Sequence, residues 1–162
     1  MAVSFTPKRD LYVGPSGLST HKWKVKSGAA ATIAEGDIVI KDGSNAGYAK
    51  IAANGSSNTS TYLGIAASAS TDTASADGEV LVTSAMNLVF EGKVTTVANL
   101  GRTRVLTRVT LDGTTGAQNI DEDDTTAGVI WILDPLDFKV SDSFDTTDGV
   151  HQFMLQCHLV NL

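Results

Sequence analysis

The sequence predicts a mainly β protein, and three observations point there. Between Gly36 and Gly92 one grammar recurs: a short apolar strand, a turn of small residues, then another strand. Period-2 alternation and β-branched residues are frequent, whereas apolar residues seldom recur at the i, i+3, i+4, i+7 spacing of an amphipathic helix. The 162 residues include a single cysteine, Cys157, and no paired Cys and His spacing, so the fold must rest on an apolar core without an intrachain disulfide or structural zinc. A chain of this size can bury roughly 70% of its unfolded surface, which is enough for such a core.

Each element follows from its local pattern. In Lys22-Trp23-Lys24-Val25-Lys26 the apolar residues share one face and the lysines the other, the mark of an edge or surface strand. The lysines either discourage edge-to-edge pairing or face an acidic partner. Ile38 and Ile40 are expected inward, with Asp37, Val39 and Lys41 outward and Asp42-Gly43 as a turn. Residues 52–78 contain twenty Ala, Gly, Ser or Thr in twenty-seven positions, which predicts mobile loops near 53–60 and 68–78 around one strand, Tyr62–Ala67. Glu79–Val82 and Asn87–Gly92 supply two more strands.

Farther along, Val105, Thr107, Val109 and Leu111 alternate with Arg104, Leu106, Arg108 and Thr110, and Arg102 extends the second face. Three arginines at strand spacing suit a solvated face or a contact with an acidic surface of another copy. Val129–Leu133 is apolar on both faces, a buried strand or helical turn ended by Asp134-Pro135. His151, Phe153, Leu155, Cys157 and Leu159 share one face of a closing strand, with Cys157 packed as a small apolar residue.

Charge is unevenly distributed within the net of -6. Residues 1–26 hold Lys8, Arg9, Lys22, Lys24 and Lys26 against Asp10. Residues 110–162 hold Lys139 against ten acidic residues, among them Asp121-Glu122-Asp123-Asp124. Such asymmetry favours association, within one chain or between copies. An acidic chain without aromatics interleaved among its arginines argues against nucleic-acid binding. The N-terminus lacks the apolar stretch of a signal peptide and no run is long enough to span a bilayer, so the expectation is a soluble protein made in the cytosol with no membrane partner.

A search for chemistry yields no candidate catalytic, metal or cofactor residues. Cys157 and His158 are adjacent, so in a strand they face opposite ways. Gly14-Pro15-Ser16-Gly17 lacks the spacing of a nucleophile elbow, and His21, His151 and His158 lack metal spacing. Asp121-Glu122-Asp123-Asp124 misses the alternate-position ligands, turn glycine and final glutamate of a calcium loop and reads as a hydrated acidic turn. The expectation is a non-enzymatic protein without cofactors, with a scattered hydrolytic site in the acidic third as the competing idea.

Five segments in order, Ala34-Glu35-Gly36-Asp37-Ile38-Val39-Ile40, Tyr48–Ala52, Leu63-Gly64-Ile65-Ala66-Ala67, Gly78–Val82 and Leu88-Val89-Phe90-Glu91-Gly92, resemble the core of the head decoration, or capsid cement, proteins of tailed bacteriophages. The resemblance implies a small β-barrel or β-tulip-like domain that trimerises at threefold or quasi-threefold points outside the capsid, bound to the major capsid protein and stabilising the expanded shell. It implies an extended N-terminal arm, residues 1–33, and a decoration domain, 34–162, whose residues 94–162 enlarge the barrel or form an added lobe. The arm would carry the capsid-binding residues Phe5, Lys8, Arg9, Tyr12, Lys22, Trp23, Lys24 and Lys26, while Arg102, Arg104 and Arg108 would make a subunit contact. Another virion β module, from a tail, a fibre or a receptor-binding component, is the alternative.

Overall fold

A computed structural model of the chain describes residues 5–10, 20–28, 32–52, 61–84, 88–95, 107–126, 128, 130–132 and 150–155. Every regular element among them is a strand, and five close into a small barrel, so the protein is mainly β. The barrel order is β2 (Thr20–Val25), β4 (Tyr48–Ile51), β3 (Ile38–Lys41), β5 (Tyr62–Ala66) and β6 (Gly78–Ser84), returning to β2. All pairings are antiparallel except the short parallel contact of β2 with β4, Lys24 opposite Tyr48 and Val25 opposite Ala49. The lysine-bearing strand is therefore an interior member of a closed barrel and not an edge.

The remaining strands form a second, six-stranded sheet. Its order is β1 (Thr6–Asp10), β7 (Leu88–Lys93), β11 (Val150–Leu155), β10 (Ile130–Ile132), β8 (Arg108–Thr114) and β9 (Ala117–Asp121). Just past β7, Val94 bridges Ile120 of β9, and the Thr95 N–H donates to the Ile120 carbonyl at 2.8 Å. The sheet thus curls until its last strand meets the end of its second. The described strands after residue 94, β8 to β11, share this sheet with β1 and β7.

Alternation of side chains fills two cores. Val25, Val39, Ala49, Ala66, Val80 and Val82 come from all five barrel strands and fill the barrel, joined by Ile33 and flanked by Trp23, Ile51 and Leu63. Ile38, Ile40, Tyr62 and Ile65 point the other way and pack with Phe5, Phe90, Val109, Leu111, Ile120, Ile130 and Ile132 of the second sheet. β3 is the wall between both cores, which corrects the expectation that Asp37 and Val39 face out: both are buried. In β5 the pairing skips Leu63, since Val39 lies opposite Gly64 and Ile40 opposite Tyr62. This bulge is what lets Tyr62 and Ile65, three residues apart, face the same core.

Buried polar groups clasp barrel to sheet. The Ile38 N–H donates to Gln118 Oε1 at 2.6 Å, and Gln118 Nε2 donates to the Ala52 carbonyl at 2.7 Å. Asp37 accepts from the Ala34 N–H at 2.8 Å and from the Gly116 N–H at 2.9 Å. Gly116 sits in the two-residue turn between Thr114 and Ala117 with φ of 67°, the left-handed backbone such a hairpin requires. β8 overlaps the alternating stretch Arg104–Leu111, but β9, which delivers Gln118, had no counterpart among the strands expected from sequence.

Two more expectations change. The 68–78 loop is pinned, with Ser70 N–H donating to the Ile33 carbonyl at 2.8 Å, Thr71 N–H to Glu79 at 3.0 Å and Gly28 N–H to Thr73 at 3.2 Å; residues 53–60 lie outside the described ones. The described strands within residues 1–33 are also paired with the rest of the fold. β1 pairs with β7, β2 pairs with β4 and β6, and Phe5 is only 2% exposed.

Candidate functional site

The outer wall of the barrel where β4, β2 and β6 lie side by side carries the exposed sequence-predicted lysines Lys22, Lys24 and Lys26. Because Val25, Ala49, Val80 and Val82 point into the barrel, the residues alternating with them point out. Register sets the neighbours: Tyr48 beside Lys24 beside Glu79 in one row, Lys22 beside Leu81 in the next. A shallow depression of about 380 Å³ is lined by Lys24, Tyr48, Thr71, Asp77, Gly78 and Glu79.

Ion pairing on this wall is local. Lys22 Nζ lies 2.9 Å from Glu79 and Lys26 Nζ 3.1 Å from Asp77. Asp77 also accepts from the Ser27 N–H at 2.9 Å and the Tyr48 hydroxyl at 2.7 Å, while the Lys26 ammonium stands 5.4 Å from the Tyr48 ring centre. The Ser27 amide, the Tyr48 hydroxyl and Lys26 hold the Asp77 carboxyl well below the usual carboxylate range, and the same contact with Asp77 raises Lys26 and Tyr48.

Asp37 shifts the opposite way, because desolvation outweighs its two backbone hydrogen bonds and raises it above its ordinary 3.8. The signs differ accordingly. Asp77 contributes stability above its unfolded value that is lost as pH falls through its folded one. The Asp37 contribution is present below pH 3.8 and is lost as pH rises through its folded value, so ionised Asp37 is a cost at neutral pH. A carboxyl-carbon NMR titration should find Asp37 taking up its proton first and Asp77 last of the two; the reverse order would contradict the geometry of both sites.

The other predicted residues are scattered. Phe5 is buried: its ring meets Phe90 edge-on, with centroids 5.4 Å apart and planes at 85°. Trp23 is half-buried against the barrel filling. Lys8 and Arg9 lie in β1, where register shifts between Pro7 and Arg9. Tyr12, Arg102 and Arg104 lie outside the described residues, as do Cys157 and His158. Arg108 is exposed with its guanidinium 5.7 Å from the Trp131 ring centre, so its neighbour is an aromatic face within the same sheet. Thr110, expected on the arginine face, is buried.

The acidic quartet closes on itself: Asp121 Oδ1 accepts from the Asp123 and Asp124 N–H groups at 3.2 and 3.3 Å, and Glu122 is fully buried. It is thus not a fully hydrated turn. Among the described residues no group of three or more His, Cys, Asp or Glu is placed to hold a metal. A second depression of about 540 Å³ lies at the β3–β4 turn, beside Lys41, Asp42 and Lys50. There burial opposes the Asp42 charge, but hydrogen bonds from Asn45 and Ser44, with Lys50 3.8 Å away, outweigh it and hold the carboxyl below the usual range.

Tyr48, Asp77, Glu79 and Leu81 were missed as site residues. The alternation of Gly78-Glu79-Val80-Leu81-Val82 already placed Glu79 and Leu81 opposite the two valines; what was absent was the register joining them to the lysines. Comparison with known proteins finds no family model, no curated protein and no solved structure that matches the chain.

Proposed function

We propose that the chain is a virion structural protein that binds the outside of a tailed-phage capsid at threefold or quasi-threefold positions, as a trimer, and stabilises the expanded shell. One observation carries this reading. The segments that resemble the capsid cement proteins are contiguous in space: Ala34–Ile40 forms the hub turn and most of β3, Tyr48–Ala52 holds β4, Leu63–Ala67 most of β5, Gly78–Val82 most of β6, and Leu88–Gly92 the strand that enters the second sheet. Four of the five segments thus supply four of the barrel's five strands, and the fifth supplies β7 of the sheet packed beside it.

Mechanistically, a protein that binds only the expanded shell stabilises it by mass action, about 2.7 kcal/mol per site at a hundredfold excess over Kd. Three linked subunits add avidity. The β2 lysines present their charge from a rigid wall, so little ordering entropy opposes docking. Shells with the protein bound should rupture at higher temperature or osmotic stress than bare ones; equal thresholds would overturn the reading.

A further inference from the structure

We infer that the β4–β2–β6 wall docks an extended, acidic segment of the capsid partner, in which a carboxylate and an apolar side chain are separated by one residue. The inference rests on the capsid-binding reading above and adds the surface and the chemistry of its partner. Three observations meet on this wall. Lys22 and Lys26 are engaged by Glu79 and Asp77, whereas Lys24, between them on the same strand face, makes no ion pair among the described residues. Leu81 is 41% exposed, the one large apolar side chain so exposed among the described residues. Leu81 stands directly across from Lys22, which makes it the diagonal neighbour of Lys24.

Diagonal neighbours in a sheet lie about 7–8 Å apart. In an extended strand, side chains i and i+2 share a face and are separated by roughly 7 Å. An acidic residue over Lys24 and an apolar residue over Leu81 therefore fit one extended segment, with the Tyr48 ring bounding the Lys24 side. Glu79 and Asp77 on the same wall disfavour a polyphosphate such as nucleic acid, and a segment with a single carboxylate at this spacing meets the cation without a like-charge clash.

The test uses the full chain and expanded shells of its cognate major capsid protein, with binding read by co-sedimentation. Lys24→Glu and Leu81→Asp should each weaken binding at least tenfold with unchanged thermal midpoints, since both side chains are exposed. Lys24→Gln should be intermediate, and binding by the wild type should weaken as salt rises. If the wild type binds and both reversals bind within twofold of it, the docking wall is wrong while the capsid role stands. If the wild type does not bind at all, the capsid role fails and this inference with it. If the variants lose self-association in sedimentation and, compared at equal oligomeric state, bind shells normally, the wall belongs to a contact between copies and the inference is overturned.

Discussion

Gly92→Ala should destabilise the protein by about 3–5 kcal/mol, the range seen when a buried phenylalanine loses its site. A methyl group at Gly92 would overlap Cδ1 and Cε1 on one edge of the Phe5 ring. The strand cannot easily retreat, because β7 is paired on both sides, with β1 and with β11. Phe5 must then leave a position in which it is 2% exposed and stacked edge-on against Phe90. Urea unfolding of Gly92→Ala, Phe5→Ala and the double variant measures this directly. The double variant should cost at least 1 kcal/mol less than the sum of the singles, because both remove the same contact; strict additivity would show that the clash is relieved elsewhere. Deleting residues 1–20 should destabilise the fold for the same reason, so loss of shell binding on truncation would not report on an arm.

Gln118→Leu should cost about 2–5 kcal/mol despite its near-equal volume. One side-chain amide satisfies two buried backbone groups, the Ile38 N–H and the Ala52 carbonyl. Each group left without a partner costs about 1–3 kcal/mol. The Ile38 amide should lose its protection from hydrogen exchange together with the fall in denaturant midpoint. A midpoint unchanged within 0.5 kcal/mol of the wild type would mean that water replaces the amide.

Local pattern was legible and pairing was not. The alternation in Glu79–Val82 gave a strand because side-chain period is a local property, whereas the apolar run Val129–Leu133, without a period, left strand and helical turn both open. Residues 1–33 read as an arm through the family resemblance, which their basic, polar composition does not oppose. Nothing local reveals that β1 finds its partner at Leu88–Lys93 and β2 at Gly78–Ser84. Asp37 and Val39 were expected outward because a strand flanked by charge suggests one wet face; instead Val39 fills the barrel, and the second sheet, recruited from residues far downstream, covers the face that carries Ile38 and Ile40. The docking wall was half legible for the same reason: its lysines stand out in sequence, but Leu81 and Tyr48 join them only through register.

The order of strands in the second sheet also bears on how the protein is made. β11, which ends at Leu155, lies between β7 and β10. A nascent chain that has not yet released Val150–Leu155 leaves both neighbours with bare hydrogen-bonding edges, the feature through which incomplete β proteins aggregate. The barrel needs nothing beyond Ser84 for its strands, whereas the sheet must wait for Val150–Leu155. A copy that stops before Val150 is therefore expected to aggregate.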